Sequence, residues 1–351
     1  MVIPVSAKYR ILITGAGSKG VPGLIKDLRT TRKNFYIVTV DVNPEAIGNL
    51  FADKCYVVPP WDNKEYIPSI IKIAEKEGIK YIIPNDNAIG LMKLCNLSVL
   101  NNKLRIAITR NKEHLSIVLN KFKLFKFLCS SGLEDHVPNF SVASDTQSLL
   151  KIIKEFGYPQ QDVVIKPCIS EGTRGFRIIR KYRENIFDER GDNKYLSYEG
   201  LKFYLTRMDK IPETLILEYL PGEEYSVDVL VNQNRKIEYI IPRVREETSD
   251  GISIRGIIKK NREIENLVIK ILQKLELIYA LNIQIKYSKN RIPKIIEINP
   301  RISGTMTFCT GAGINLHYYL ILLMSNKPLP RLKVKYNTRM YRYYAEKYLY
   351  R

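Results

Sequence analysis

Between residues 9 and 110 the apolar runs YRILITG, FYIVTVDV, YIIPND and LRIAIT alternate with the helical patterns VPGLIKDLR, YIPSIIKIAEKEG and IGLMKLCNLSVLNN. Short apolar runs bounded by turn residues suit strands buried on both faces. Parallel neighbours cannot be joined by a tight turn, so a helix between each pair of runs carries the chain back to the same end of the sheet. The order therefore predicts a βαβαβαβ unit, a parallel sheet with helices on both faces.

The first turn of that unit reads GAGSKG, with Gly15, Gly17 and Gly20 in GxGxxG spacing, and Asp41 closes the second strand. Two readings are open. One is a dinucleotide site, with backbone amides cradling a pyrophosphate and the acidic residue on a ribose, which would make the chain an NAD(P)-dependent oxidoreductase. The other is a tight turn in a Rossmann-like domain that holds no dinucleotide.

Beyond this unit the pattern changes. Asn111 has the position of an N-cap for one amphipathic helix through LSIVLNKFKLFKFLCSS, ending at Gly132, with Lys121, Lys123 and Lys126 expected mostly in solvent. VPNFSV, a helix through LLKIIKEFG and QDVVIKP come next, and to residue 246 the chain is mostly short strands with PG and EG turns, which is α+β character. Three parts are expected: a Rossmann-like domain over 1–110, a first lobe with its connecting helix over 111–213, and a second lobe over 214–351.

A chain of 351 residues can bury more than one core, and 45% apolar with 26% charged residues is ordinary for a folded protein. YYLILLM falls short of the roughly 18 apolar residues a membrane helix needs. MVIPVSAKYRILITG has no signal-peptide layout, so a cytoplasmic location is expected. The 5 cysteines are scattered with no CxxC, and the 3 histidines are dispersed, which argues against a disulfide framework, a zinc site, a thiol nucleophile or a histidine triad. The net charge of +20 fits anionic ligands such as nucleotides and acyl phosphates, and it also fits nucleic acid.

The residues that carry chemistry lie downstream. LNIQIKYSKNRIPKIIEINPRISGT reads as a hairpin turning at SKNRIP, and side chains two apart share a face, so Glu297, Asn299 and Arg301 align. With the turn centred on Asn290 and Arg291, Gln284 faces Glu297. One carboxylate among amide oxygens suits Mg²⁺ that takes its remaining ligands from water and phosphate, and the Arg301 guanidinium suits a phosphate oxygen or a developing negative charge. In DVVIKPCISEGTRGFRII, Lys166 ends a strand and can give a point charge to phosphates, while Gly172 and Gly175 let the next loop bend over a ligand. In ETLILEYLPGEEYSVDVLV, the peptide groups of Glu218, Tyr219 and Leu220 can meet an adenine edge, and Glu224 can accept from ribose hydroxyls. Asp86, in PNDNAIG, ends a strand of the parallel sheet, where ligands commonly sit.

In order along the chain, GAGSKG, the NK at Asn120 and Lys121, VVIKP with its glycine-bearing loop, LEYLPGEEYSVDV, and NIQIK with EINPRISG resemble the ATP-grasp superfamily, most closely single-module proteins similar to half of the carbamoyl phosphate synthetase large subunit. The resemblance implies an α/β fold, a Rossmann-like N-terminal lobe followed by a two-lobed α+β ATP-grasp domain. It further implies Lys121 and Lys166 on ATP phosphates, Glu218 to Leu220 as the adenine hinge, Glu224 on ribose, and Gln284, Glu297 and Asn299 on one or two Mg²⁺, with Mn²⁺ as a substitute. Arg301 falls at the transferred phosphoryl group. Arg243, Arg245 and Arg255, in PRVREETSDGISIRG, occupy the segment where many relatives contact the γ-phosphate or the acceptor. The implied enzyme is an ADP-forming ligase that activates a carboxylate as an acyl phosphate for attack by an amine, with small-molecule substrates and no membrane partner; a homodimer is compatible with it. Carboxyphosphate chemistry on bicarbonate is the alternative within the class. In these enzymes the first lobe has lost dinucleotide binding.

Tyr343 and Lys347 form a TyrxxxLys pair, but in the tail rather than mid-domain. The tail RLKVKYNTRMYRYYAEKYLYR interleaves basic residues with tyrosines, a pattern open to nucleic acid. The expectation is instead a closing strand pair packed on the second lobe with tyrosine faces inward, and no nucleic-acid partner.

Overall fold

The computed structural model describes residues 8–170, 174–181, 194–249 and 251–348. The chain forms two compact units, one from Met1–Ser116, Tyr225–Gln284 and Ile298–Arg351, the other from Ile117–Glu224 and Ile285–Glu297.

The first unit opens with β1 (Tyr9–Thr14), α1 (Val21–Arg29), β2 (Phe35–Asp41), β3 (Lys54–Val57), α2 (Tyr66–Lys76), β4 (Tyr81–Ile83), α3 (Ala88–Leu100) and β5 (Arg105–Ile106). The strands form a sheet in the order β3-β2-β1-β4-β5, all pairs parallel. The alternating pattern thus produced the expected unit, plus an edge strand it did not announce. That strand, KCYV, exposes most of its length and carries no apolar run to betray it.

The chain continues through α4 (Lys112–Leu119), α5 (Lys121–Ser130), β6 (Phe140–Ala143), α6 (Thr146–Glu155), β7 (Val163–Pro167), β8 (Arg177–Arg180), β9 (Tyr195–Ser197), α7 (Tyr198–Leu205) and β10 (Thr214–Glu218). The single helix expected from Asn111 to Gly132 is broken at Asn120. The Asn120 side chain accepts from the amides of Phe122 and Lys123 and so caps a new helix, and the Lys121 amide donates to the Cys168 carbonyl. An asparagine that can satisfy orphan amides competes with helix continuation. The second unit's sheet runs β6-β10-β7-β8-β9 over a core of Leu149, Ile153, Val163, Ile165, Ile179 and Ile216.

The last stretch comprises β11 (Glu224–Val231), β12 (Ile237–Ser249), β13 (Ile252–Ile258), α8 (Arg262–Lys274), β14 (Tyr279–Tyr287), β15 (Pro293–Asn299), α9 (Thr307–Gly311), α10 (Leu316–Met324) and β16 (Arg339–Tyr341). Its sheet has the order β15-β14-β11-β12-β13-β16. YYLILLM belongs to α10, where every residue but Tyr318 is buried. That helix and α9 share one core with β1, β2 and α1, through Ile11, Leu24, Ile37, Phe308 and Leu320. Each such side chain contributes about 1.5–3 kcal/mol on burial. Asp27 of α1, itself buried, accepts from the hydroxyls of Thr307 and Thr310 at 2.9 and 2.8 Å and meets His317 Nδ1 at 2.8 Å.

The tail departs from expectation. It contributes one three-residue strand, β16, antiparallel to β13; Tyr336 packs partly on the core, but Tyr341, Tyr343, Tyr344 and Tyr348 face out, Tyr343 and Tyr344 being 84% and 96% exposed. Among the described residues no helix is long and apolar enough to cross a membrane.

One contact ties the GAGSKG turn to this later segment. A Cβ on Gly20 would lie 2.4 Å from the Gly304 Cα, backbone against backbone, where no rotamer change can relieve it. Gly20→Ala should therefore lower stability by about 1–3 kcal/mol, read as a lower urea midpoint at unchanged m-value.

Candidate functional site

Lys166 ends β7, the strand VVIKP, with Val163 to Ile165 buried behind it. Its ammonium is 5% exposed and reaches the Ile296 carbonyl at 3.4 Å. Burial together with the Lys121 charge draws it down to about 7, while Glu297 and Glu224 pull the other way. Lys121, expected mostly in solvent, is also 5% exposed. It donates to the Ser170 carbonyl at 2.9 Å and lies 3.7 Å from the Glu297 carboxylate. The break at Asn120 is what turns this lysine inward. The second unit therefore gathers two buried ammonium groups on one carboxylate.

Gly175 has φ +73, and a Cβ there would meet Pro167 Cδ at 2.7 Å, so the loop after Lys166 needs glycine both for its conformation and for its closeness to the strand end. Gly172, the other glycine expected to cover phosphate, lies outside the described residues. At the end of β10, Glu218 uses both its amide and its carboxylate on Asn139, at 3.1 and 2.9 Å. Leu220 is buried, and Tyr219 has Lys286 Nζ 5.8 Å from its ring centroid. Glu224 lies 3.9 Å from the same Lys286. The PG turn is pinned to the end of β14, Gly222 N to Tyr287 O at 3.0 Å and Tyr287 N to Glu223 O at 3.1 Å.

On β15, Ile298 is buried between the half-buried Glu297 and Asn299, so the two polar side chains share the face away from the core, as their spacing requires. Glu297 is counted with the second unit, and Gln284, Asn299 and Arg301 with the first. Arg301 lies just past the strand and donates to the Ile302 carbonyl at 3.0 Å. The turn differs from the expected one. Ser288 N donates to Ile292 O at 2.9 Å and Arg291 N to Ser288 O at 3.0 Å, so the loop is 289–291, with Arg291 at φ 58, and not a two-residue turn at Asn290 and Arg291. A type I turn followed by a left-handed residue adds one position to the loop. Strand identity survives that error; cross-strand register does not.

The remaining candidates have partners within the fold. Asp86 is 1% exposed and accepts from the Tyr66 hydroxyl, whose pKa burial and then Asp86 push upward. Arg245 donates to the Gly251 carbonyl at 2.7 Å, and Arg255 meets Glu246 and Glu247, each at 3.5 Å. Arg243 is a buried partner of Asp228 at 2.8 Å. Sequence reasoning missed Lys286, which stands beside two candidate nucleotide-binding residues. It also missed Arg342, whose guanidinium donates to the Gly304 carbonyl at 2.6 Å from within a tail read only in bulk. Alternation in NIQIK could have flagged Lys286; nothing local signals Arg342.

Three amides in the first part of the GAGSKG turn are already used within the fold. Ala16 N donates to Val40 O, Ser18 N to Gly15 O, and Gly17 N to the Asp41 carboxylate at 2.7 Å. The acidic residue meant for a ribose instead holds the loop itself. The NAD(P) reading is not supported, and the turn is a packing device.

Residues 210–346 match the family described as ATP-grasp in the biosynthetic pathway with Ter operon, and residues 11–108 match the PylC-like N-terminal domain. The carbamoyl phosphate synthase large chain of Thermotoga neapolitana is 23% identical over 350 residues; the alignment takes in 94% of this chain and 29% of that protein. N5-carboxyaminoimidazole synthetase from Staphylococcus aureus, complexed with ADP, superposes with a TM-score of 0.69 at 17% identity, covering 93% of this chain and 80% of that one. The biotin carboxylase domain of Hydrogenobacter thermophilus 2-oxoglutarate carboxylase gives 0.66 at 16% identity, with 94% and 73% covered. The L-amino acid ligase from Bacillus licheniformis gives 0.64 at 13%, with 91% and 75% covered. The five-stranded parallel sheet thus coincides with the PylC-like match and residues 210–346 with the ATP-grasp match, and the fold is that of the ATP-grasp structures it superposes on.

Proposed function

We propose that the protein is an ADP-forming ligase that activates a carboxylate with Mg-ATP and passes the acyl group to an amine. The observation that carries this reading is the buried convergence of Lys121 and Lys166 on Glu297, two cations and one carboxylate sequestered at strand ends and a helix start. Desolvated like charges persist where an anion is to be bound. In this reading the two ammonium groups hold ATP phosphates, Glu218 to Leu220 line the base, Glu224 takes the ribose, and Gly172 and Gly175 shape the covering loop. Gln284, Glu297 and Asn299 are the donors for Mg²⁺ or Mn²⁺. A single carboxylate with amide oxygens, two of them on one strand face, fits a hard cation that keeps water and phosphate ligands. Bound there, the cation neutralises charge on the β- and γ-phosphate oxygens.

The chain's own groups then do the rest. Lys121 exchanges its 3.7 Å pairing with Glu297 for phosphate. Lys166, poised between charge states, favours the ammonium once a polyanion arrives. Arg301 supplies a planar charge to the group in transfer. We place the three-part division 1–110, 111–213 and 214–351, small-molecule carboxylate and amine substrates, homodimer assembly and a cytoplasmic location within the same proposal.

Incubation with Mg-ATP and pools of amino acids or other carboxylates should release ADP and phosphate in at least one pool. Lys166→Met should raise the KM for ATP at least about tenfold, the loss expected of one charge-assisted contact. No turnover with any pool, or turnover with an unchanged KM for ATP in Lys166→Met, would overturn the proposal. Bicarbonate is a necessary arm, because the Hydrogenobacter carboxylase domain of like fold was crystallised with bicarbonate.

A further inference from the structure

Two arginines grip adjacent residues of the loop after β15. Arg243, on β12, is 1% exposed; Nε donates to Asp228 at 2.8 Å and Nη2 to the Ser303 hydroxyl at 3.3 Å. Its Nη1 is buried with no hydrogen-bond partner among the described residues. Arg342, just past β16, is half-buried, held by its amide on Ile254 O at 2.8 Å, and its guanidinium donates to Gly304 O at 2.6 Å. No carboxylate among the described residues forms an ion pair with Arg342. The one acid of this cluster, Asp228, is already committed to Arg243, Asn282, Ser303 and Cys309. Burial and the Arg243 charge both lower the affinity of Arg342 for its proton, with no acid opposing them.

Arg342 thus feels the Arg243 charge, whose anion Asp228 is bound to Arg243, and has no ion-paired carboxylate of its own among the described residues, all inside the first unit. A half-buried guanidinium beside a fully buried one is costly unless a further anion joins them. A carbonyl oxygen occupies one arm of Arg342, leaving the planar fork suited to a carboxylate.

We propose that Arg342, backed by the buried charge of Arg243, binds the carboxylate of the acid substrate beside Ser303 and Gly304. Arg342 contacts the ligand; Arg243 is a positioning residue that fixes Ser303 and supplies field. This deepens the ligase reading and rests on it. It also gives the basic tail a role, since Arg342 is the tail residue whose charge is turned inward rather than out to solvent.

The test uses the full chain, thermal unfolding and acetate as probe, at constant ionic strength with chloride as the balancing anion. The shift caused by Mg-ADP alone is measured first. Its absence overturns the ligase reading, whatever the response to acetate. With Mg-ADP saturating, acetate should raise the Tm of the wild type saturably. In Arg342→Gln the apparent dissociation constant for acetate should rise on the order of tenfold or more, with partial recovery in Arg342→Lys and an undiminished Mg-ADP shift in both. If Arg342→Gln does not fold, the same loss must appear as weakened acetate binding in Arg342→Lys, which keeps the charge but not the fork. An acetate shift equal in wild type and variants, no saturable acetate shift in the wild type, or a response to inorganic phosphate alone would each overturn the carboxylate assignment.

Discussion

Glu297→Ala is expected to cut Mg-ATP-dependent ADP release by about 10²–10³-fold, the loss typical of removing one group that organises charge stabilisation in a transition state. Glu297 stands 3.7 Å from the Lys121 ammonium and raises the proton affinity of Lys166. On the proposed reading its removal strikes twice: the metal would lose its carboxylate, and two buried ammonium groups lose their counterion. The second effect predicts more than lost activity. Lys166, already near 7, should fall further, so that residual ATP binding in the variant weakens with rising pH at a lower pH than in the wild type, whereas in Glu297→Gln the loss of turnover should persist with less disturbance of packing. Coupled ADP release across a Mg²⁺ titration, with the unfolding midpoint as a control for folding, checks this. Turnover within threefold of wild type at saturating Mg²⁺ would remove Glu297 from the machinery.

Asp228→Ala should be the most damaging single change outside that cluster, at about 3–5 kcal/mol, because it leaves the Arg243 guanidinium buried without its partner. Asp228 is 0% exposed and takes four side-chain contacts, from Arg243, Asn282, Ser303 and Cys309. The thiol of Cys309 is pushed well up by burial and then by that carboxylate, so it stays protonated and donates. The variant's Tm should fall by on the order of 10 °C. Pairing Asp228→Leu with Arg243→Met should restore much of the loss, since a buried ion pair replaced by apolar groups of similar size is often neutral or better. Equal destabilisation in the single and double variants would show that the carboxylate contributes through its hydroxyl and amide partners and not through Arg243.

The hairpin shows what was legible locally and what was not. Alternation alone put Glu297 and Asn299 on one face, because pleating makes every second side chain equivalent whatever surrounds it. The turn was off by one, since SKNRIP admits both a two- and a three-residue loop and only the Ser288 and Ile292 pairing chooses between them. Likewise NK was readable as a motif, but the same residues also continue a helical pattern. The Asn120 cap and the Cys168 carbonyl, 47 positions on from Lys121 in the numbering, decided for a break. GAGSKG gave the opposite lesson: its spacing is that of a dinucleotide loop, and the use of its amides on Val40, Gly15 and Asp41 is a matter of tertiary detail.

By itself the sequence determined four of the five strands of the parallel sheet, the order of the ATP-grasp elements and the polar face of the last hairpin strand, because periodicity, turn chemistry and strand pleating are local properties of the chain. Only the tertiary structure decided that Lys121 is buried and not solvated, that Arg243 serves Asp228, that Gly20 is needed for Gly304, and that Arg342 turns inward while the tyrosines beside it face out. Each of those depends on a partner far away in the chain, and burial and charge pairing are set by which distant segments meet, a quantity no window of neighbouring residues contains.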